Sequence, residues 1–151
     1  MSKITTVYDT LLAAILLIFP EKTKLNDPYT LTDNPEHLLR DGYGMRKTAT
    51  ELGIAELCNI SDVHGFEVAL CREIVRTDSQ DVPLDIEVKG LLEDAFELRE
   101  RLYRYDELGI STDITSMDLG GVSGVESFIV GKGKFISVVI AFNVQVTENI
   151  N

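Results

Sequence analysis

Two histidines, two cysteines, two glycine clusters and a surplus of acids are the residues with chemistry to offer. His37 follows Glu36, and His64 stands two places after Asp62, so each imidazole has a carboxylate neighbour. A protein metal site needs several such donors at set spacing, and the HxH, HxxxH and CxxC patterns are absent. Both histidines read as ordinary loop residues, and no metal is expected. Cys71 with His64 is the available nucleophile and base. A thiolate needs electropositive surroundings, and an acidic chain works against it. There is no GxSxG elbow. Gly131-Lys132-Gly133-Lys134 has the look of a phosphate cradle. A P-loop requires GxxxxGK plus Ser or Thr between a strand and a helix, whereas this run leads into a strand and reads as a hairpin turn. Gly120, Gly121 and Gly124 fail similarly, because no helix follows them. Acid pairs such as Glu93-Asp94 and Asp106-Glu107 are explained by solvation. Tyr103, Arg104 and Tyr105 interleave aromatic and basic groups, as base-stacking surfaces do. Tyr105, however, belongs to an apolar stripe, and acids surround the arginine. The expected catalytic, cofactor-binding and metal-binding residues are therefore none, and the chain is not expected to be an enzyme.

Bulk properties narrow the classes further. The chain has 151 residues, 44% of them apolar and 26% charged, which supports one domain with a real core. Its formal net charge is −11. That excludes a free-standing nucleic-acid binder, which needs a concentrated basic surface, and a polybasic membrane anchor. No window of the sequence is a basic island. Cys58 and Cys71 are too few for a disulfide scaffold, and reduced thiols in an intracellular assembly setting are the default.

The elements that must position these residues follow from periodicity. Ile4, Val7, Leu11, Ala14, Ile15 and Ile18 have helical spacing, so residues 3–19 read as a core helix, capped by Ser2 or Thr5 and stopped by Pro20. The apolar run Leu11–Phe19 is too short to span a bilayer and lacks the flanks of a secretory signal. Residues 20–62 are rich in turn signals, with Asn26-Asp27-Pro28 and Asp33-Asn34-Pro35, and read as a loop-rich arm. Within it Asn34 is placed as the cap of a short helix beginning at Pro35, and Met45 to Gly53 is ambiguous between strand and helix. Residues 65–77 read as a central strand with Phe66, Val68, Leu70 and Ile74 on one face. Arg72 and Arg76 share that face, pointing to solvent or a partner there.

Residues 83–107 carry an amphipathic stripe of Leu84, Val88, Leu91, Leu92, Ala95, Leu98, Leu102 and Tyr105. Asp81 is the expected cap, Gly109 the stop, and Glu97–Arg101 and Glu100–Arg104 are favoured helical pairs. Residues 110–146 are the β part: a strand to Leu119, a glycine-rich link over 120–124, and a hairpin about Gly131-Lys132-Gly133. The last strand alternates Ile136, Val138, Ile140, Phe142, Val144 and Val146 against Phe135, Ser137, Val139, Ala141, Asn143 and Gln145. The first set is core, and the second suits a face that is partly covered or turned to a channel or neighbour. The expected class is α+β: a mainly antiparallel β-sheet packed against an N-terminal helix and a long central helix, with the loop-rich arm at 20–62, all in a single domain over 1–151.

The order of these parts carries a resemblance. An N-terminal helix, a turn-rich segment containing NPEHLLRDGYGMR, the strand GFEVALCREIVRT, a long amphipathic helix and a terminal hairpin ending FISVVIAFNVQV span nearly the whole chain. This resembles the tail terminator, or tail-completion, proteins of long-tailed bacteriophages. The resemblance implies a structural virion subunit that forms a homohexameric ring. That ring caps the tail tube protein, joins it to a neck or head-completion protein, and lets DNA pass without specific binding or any membrane. It further implies assembly in the host cytoplasm and a place in the tail and neck of the virion. The family has no catalytic signature, so no residue role carries over. Another head-tail connector, such as a stopper, and an unrelated acidic protein-binding module are the alternatives. DNA mimicry by such a module would need dense acidic rows, whereas these acids are interleaved with arginine.

Overall fold

The computed structural model describes residues 3–74, 84–108 and 114–149. In chain order it contains helix α1 (Lys3–Ile18), the short strand β1 (Thr23–Lys24), a 3-10 turn (Leu31–Asp33) and helix α2 (Glu36–Leu39). Strands β2 (Asp41–Glu56) and β3 (Asn59–Glu73), helix α3 (Leu84–Tyr103) and a second 3-10 turn (Tyr105–Leu108) come next. Strands β4 (Ser116–Val122), β5 (Glu126–Val130) and β6 (Gly133–Asn149) complete the fold. The proposed cap Asp81 and stop Gly109 lie outside the described residues, as do Ser2, Arg76 and the start of the strand expected from 110.

The class is α+β. The sheet has six strands in the order β1-β2-β3-β6-β4, with β5 also paired to β6. It is mixed rather than purely antiparallel, because β1 runs parallel to β2 while every other pairing is antiparallel. The central pair, β3 and β6, stays in unbroken register from Glu73↔Phe135 to Asn59↔Asn149.

The alternation expected of β6 divides the sheet into two faces. One face carries Phe66, Val68 and Leu70 of β3 with Ile136, Val138, Ile140, Phe142, Val144 and Val146 of β6, all buried beneath α1 and α3. The stripes of both helices supply the other half of this core, through Val7, Leu11, Ile15, Leu91, Ala95, Leu98 and Leu102. Burying such side chains contributes about 1.5–3 kcal/mol each. A smaller core on the opposite face holds Leu25, Leu39, Cys71 and Phe135, and it is covered by the segment between α1 and β2.

The loop-rich arm is a correction. Residues 41–62 are not loop: they form β2 and the start of β3, joined by a tight turn at Leu57-Cys58. Turn residues and charges mislead here because a strand without a neighbour on one side need not be apolar, and β2 lacks one beyond Tyr43 among the described residues. Residues 20–40 are the irregular part, and they are tied down. The Nδ2 of buried Asn34 donates to the carbonyls of Asp27, Leu31 and Thr30, and its Oδ1 accepts from the Asp27 backbone N–H. Asn34 is therefore not the N-cap of α2, where Pro35 stands without a side-chain cap; it closes the preceding 3-10 turn, its backbone N–H donating to the Leu31 carbonyl.

The glycine-rich link is a second correction, since Gly120 and Gly121 belong to β4. A Cβ at Gly120 would stand 2.8 Å from the Ala141 carbonyl oxygen, so a side chain there would push β4 off β6.

Candidate functional site

The fold separates the Cys71–His64 pair that the sequence offered. Cys71 and His64 lie on β3 seven places apart, so their side chains leave opposite faces of the sheet. Cys71 is fully buried in the smaller core, and burial pushes its thiol up to about 12. It is a packing residue. Cys58 sits in the hairpin turn, at the other end of β3, and both cysteines are free.

His64 is buried against α1. Its Nδ1 lies 3.0 Å from Thr50 Oγ1, and the same small pocket is lined by Ile4, Thr5, Tyr8 and Lys47. Burial lowers its pKa, nearby Lys47 adds to that, and Asp62 and Glu148 oppose it. The reading as an ordinary loop histidine is thus overturned: His64 is a strand residue in the wall of the core. His37 is exposed on α2. Among the described residues no group of three His, Cys, Asp or Glu could hold a metal ion.

The glycine turn Gly131-Lys132 joins β5 to β6, with Gly131 at φ +58°. Its backbone cradle exists, and it is filled from within the chain. The N–H groups of Lys132 and Gly133 donate to Glu36 Oε1 at 2.7 and 3.0 Å. A carboxylate on α2 occupies the position a phosphate oxygen would take, so the turn locks α2 to the sheet.

Arg72 is half-buried and paired within the chain. Its Nη2 meets Asp94 Oδ2 of α3 at 3.0 Å, and buried Lys22 reaches the same oxygen at 2.9 Å and also pairs with Asp41. This cluster ties α3, β2, β3 and the segment after α1 together. A Cβ on Gly90 would collide with the Arg72 guanidinium, which explains a glycine inside α3. Sequence spacing gave no sign of this network, because its four members come from four separate elements. Of the two expected helical pairs, Glu100–Arg104 forms at 3.4 Å.

What remains open is surface. From Thr48 to Leu57 every residue of β2 and its turn is exposed. Strand β1 pairs only with Gly42 and Tyr43; beyond them Tyr29 Oη meets the Lys47 backbone and Lys47 Nζ the carbonyls of Thr48 and Ala49, and no strand pairs with the outer side of β2 among the described residues. Leu52, Ile54 and Leu57 stand 67%, 55% and 97% exposed there. Edge strands are normally guarded by lysine or proline; here Lys47 Nζ donates to the carbonyls of Thr48 and Ala49 and to Thr50 Oγ1, and residues 51–58 contain neither lysine nor proline. On the far side of the sheet, Phe96 and Tyr103 of α3 stand exposed beside Leu119 of β4, with Arg99 and Glu100 completing a shallow groove.

The sheet face opposite the helices is covered only at one end. Phe135 and Ser137 are buried there, whereas Asn143 is exposed and Val139, Ala141 and Gln145 are half-buried. Cross-strand register puts Glu51, Asp118 and the Arg46–Glu67 pair on this open half.

The chain matches no protein-family model and no curated protein sequence.

Proposed function

We propose that this chain is a structural ring subunit that completes a phage-type tail, capping the tube and joining it to the neck. The observation that carries the reading is the bare outer half of β2 with its turn. It is a strand edge with exposed Leu52, Ile54 and Leu57 close together in the chain. Register sets Leu52 opposite Asp62 on the face toward the helices and Ile54 opposite Ser61 on the other face, so both sides of this edge carry an exposed apolar group, which suits an edge that a partner covers.

The open half of the sheet face fits the wall of a channel. Exposed Glu51 and Asp118 with Asn143 make it polar and acidic, and such a wall repels passing DNA instead of holding it. In this reading the ring is a homohexamer, its partners are a tail tube protein and a neck protein, and its place is the tail of the virion.

Native mass measured alone and with assembled tail tubes, combined with negative-stain imaging, tests the proposal. A six-membered ring at tube ends is the expected result. A chain that ignores tube ends but seats on isolated head connectors would make it a stopper. A strict monomer that binds neither would end the reading and leave the acidic binding module.

A further inference from the structure

We infer that the first bulge of β2 is a latch worked by His64: a proton added to the neutral imidazole makes Lys47 let go of the bulge and frees the outer half of the strand. Register pairs Lys47 with Phe66 and Thr50 with His64, so Thr48 and Ala49 together face Gly65. Strand β2 thus carries one residue more than β3 here, and a bulge disrupts the ladder around it. Gly65 makes room for the extra residue, since a Cβ there would collide with the Thr48 hydroxyl. Lys47 then pins the bulge. Its Nζ donates to the Thr48 carbonyl at 2.8 Å, to the Ala49 carbonyl at 3.1 Å and to Thr50 Oγ1 at 2.7 Å, which uses all three ammonium hydrogens.

The same hydroxyl connects the pin to His64. An ammonium can only donate, so Thr50 Oγ1 accepts from Lys47 and keeps its own hydrogen for His64 Nδ1, 3.0 Å away. Nδ1 is therefore an acceptor, and the neutral ring carries its proton on Nε2. A second proton reverses the bond. Nδ1 becomes a donor, and Thr50 Oγ1 must then accept from two cations at once. His64 is 7% exposed, so water screens that pair poorly.

The charges around the ring decide which way it gives. Burial and then Lys47 of β2 disfavour the protonated ring, while Asp62 of β3 and Glu148 of β6 favour it. Glu148 also accepts from the Lys3 backbone N–H at the start of α1, and Tyr8 of α1 donates its hydroxyl to the Met45 carbonyl. Lys47 is the member able to leave, because its ammonium sits on a flexible stem at a half-buried position. Its departure strips the Thr48 and Ala49 carbonyls of their donor. Beyond them the β2–β3 register slips again between Leu52 and Ile54, and among the described residues no strand holds the outer side. The freed imidazole titrates near its ordinary pKa of about 6.5 and the packed one below it, so the latch opens as pH falls below about 6.5. It stands on these contacts whether or not the chain builds a tail ring.

Nuclear magnetic resonance of the full chain tests it. The His64 ring signals, identified by their loss in His64→Gln, should show the Nε2–H form at pH 7. Amide protection over residues 48–56, corrected for the intrinsic effect of pH, should fall between pH 7 and pH 5 by up to about 25-fold, the limit set by an opened imidazole of ordinary pKa. Residues 65–72 of β3 should keep theirs. His64→Gln retains an acceptor for Thr50 without a titrating charge, and should remove the step. Lys47→Met should leave residues 48–56 poorly protected at both pH values and move the His64 titration up toward 6.5. Circular dichroism checks that both variants fold, and the ring signals of wild type need no variant beyond their assignment. A neutral His64 protonated on Nδ1, a step of wild-type size in His64→Gln, or equal loss of protection across β3 would overturn the latch.

Discussion

Asn34 offers the sharpest check on how the segment between α1 and β2 is held. Its amide makes four hydrogen bonds: Asp27 N–H to Oδ1 at 2.9 Å, and Nδ2 to the carbonyls of Asp27, Leu31 and Thr30 at 2.8, 3.1 and 3.3 Å. The side chain is 2% exposed, so water does not replace these bonds when they are lost. A net intramolecular hydrogen bond contributes about 1 kcal/mol, and the longest of the four counts for little. Asn34→Ala should therefore cost about 3 kcal/mol, a fall in Tm of roughly 6–12 °C for a chain of this size. Asn34→Asp is more discriminating. It keeps the acceptor for Asp27 but turns an oxygen toward three carbonyls. Its carboxyl pKa should rise above the unfolded value of about 3.9. The folded state then binds more protons than the unfolded state, so stability increases as pH falls. Urea unfolding at pH 7 should show Asn34→Asp at least as unstable as Asn34→Ala, with the aspartate variant recovering between about pH 7 and pH 4 relative to alanine. A loss under about 1 kcal/mol for alanine, or no recovery for aspartate, would refute this account of the segment.

The lowered pKa of His64 predicts an acid-sensitive fold. The unfolded chain takes up a proton near pH 6.5 before the folded one does, so stability should drop from pH 7 to pH 5. His64→Gln should flatten that slope in urea titrations, and equal slopes in both proteins would contradict it. Native thiol labelling should modify Cys58 and spare Cys71, whose buried thiol is pushed up to about 12, until urea exposes it. Gly90→Ala should fail to deliver the usual helix gain of about 1 kcal/mol in wild type, because the new Cβ meets Arg72. The gain should return in an Arg72→Met background, and a double-mutant cycle with no coupling would sink the explanation.

What could be read from the sequence was whatever repeats at a fixed period. The stripe Val7, Leu11, Ala14, Ile15 and Ile18 is the buried face of α1, and the alternation through β6 divides the sheet into its two faces. Two features hid β2. Its inner end is Gly42, Tyr43, Gly44 and Met45, which reads as a turn, yet a Cβ on Gly42 or Gly44 would strike the segment packed over them. Its outer half lacks alternation because nothing buries either of its faces. The Lys22–Asp41–Asp94–Arg72 cluster and the Glu36 carboxylate at the glycine turn were invisible for another reason. Each joins residues far apart in the chain, and only the fold brings them together.

The bare half of β2 has a thermodynamic cost that points to its use. Its register with β3 slips twice, between Lys47 and Thr50 and between Leu52 and Ile54. Such bulges increase local twist and weaken a ladder. The neighbouring end of β6 behaves differently: Val144 and Val146 are buried, and α1 is bonded to it through the Lys3 backbone N–H and Glu148. The sheet is therefore anchored up to β3 at this end, and only its outermost strand is left unsupported. A strand with one neighbour, two bulges and exposed leucines gains little from the fold of its own chain. It gains most when a second surface covers Leu52, Ile54 and Leu57. Amide hydrogen exchange along residues 48–57 should accordingly be the fastest in the sheet for the isolated chain and slow most on assembly, while β3 and β6 stay protected in both.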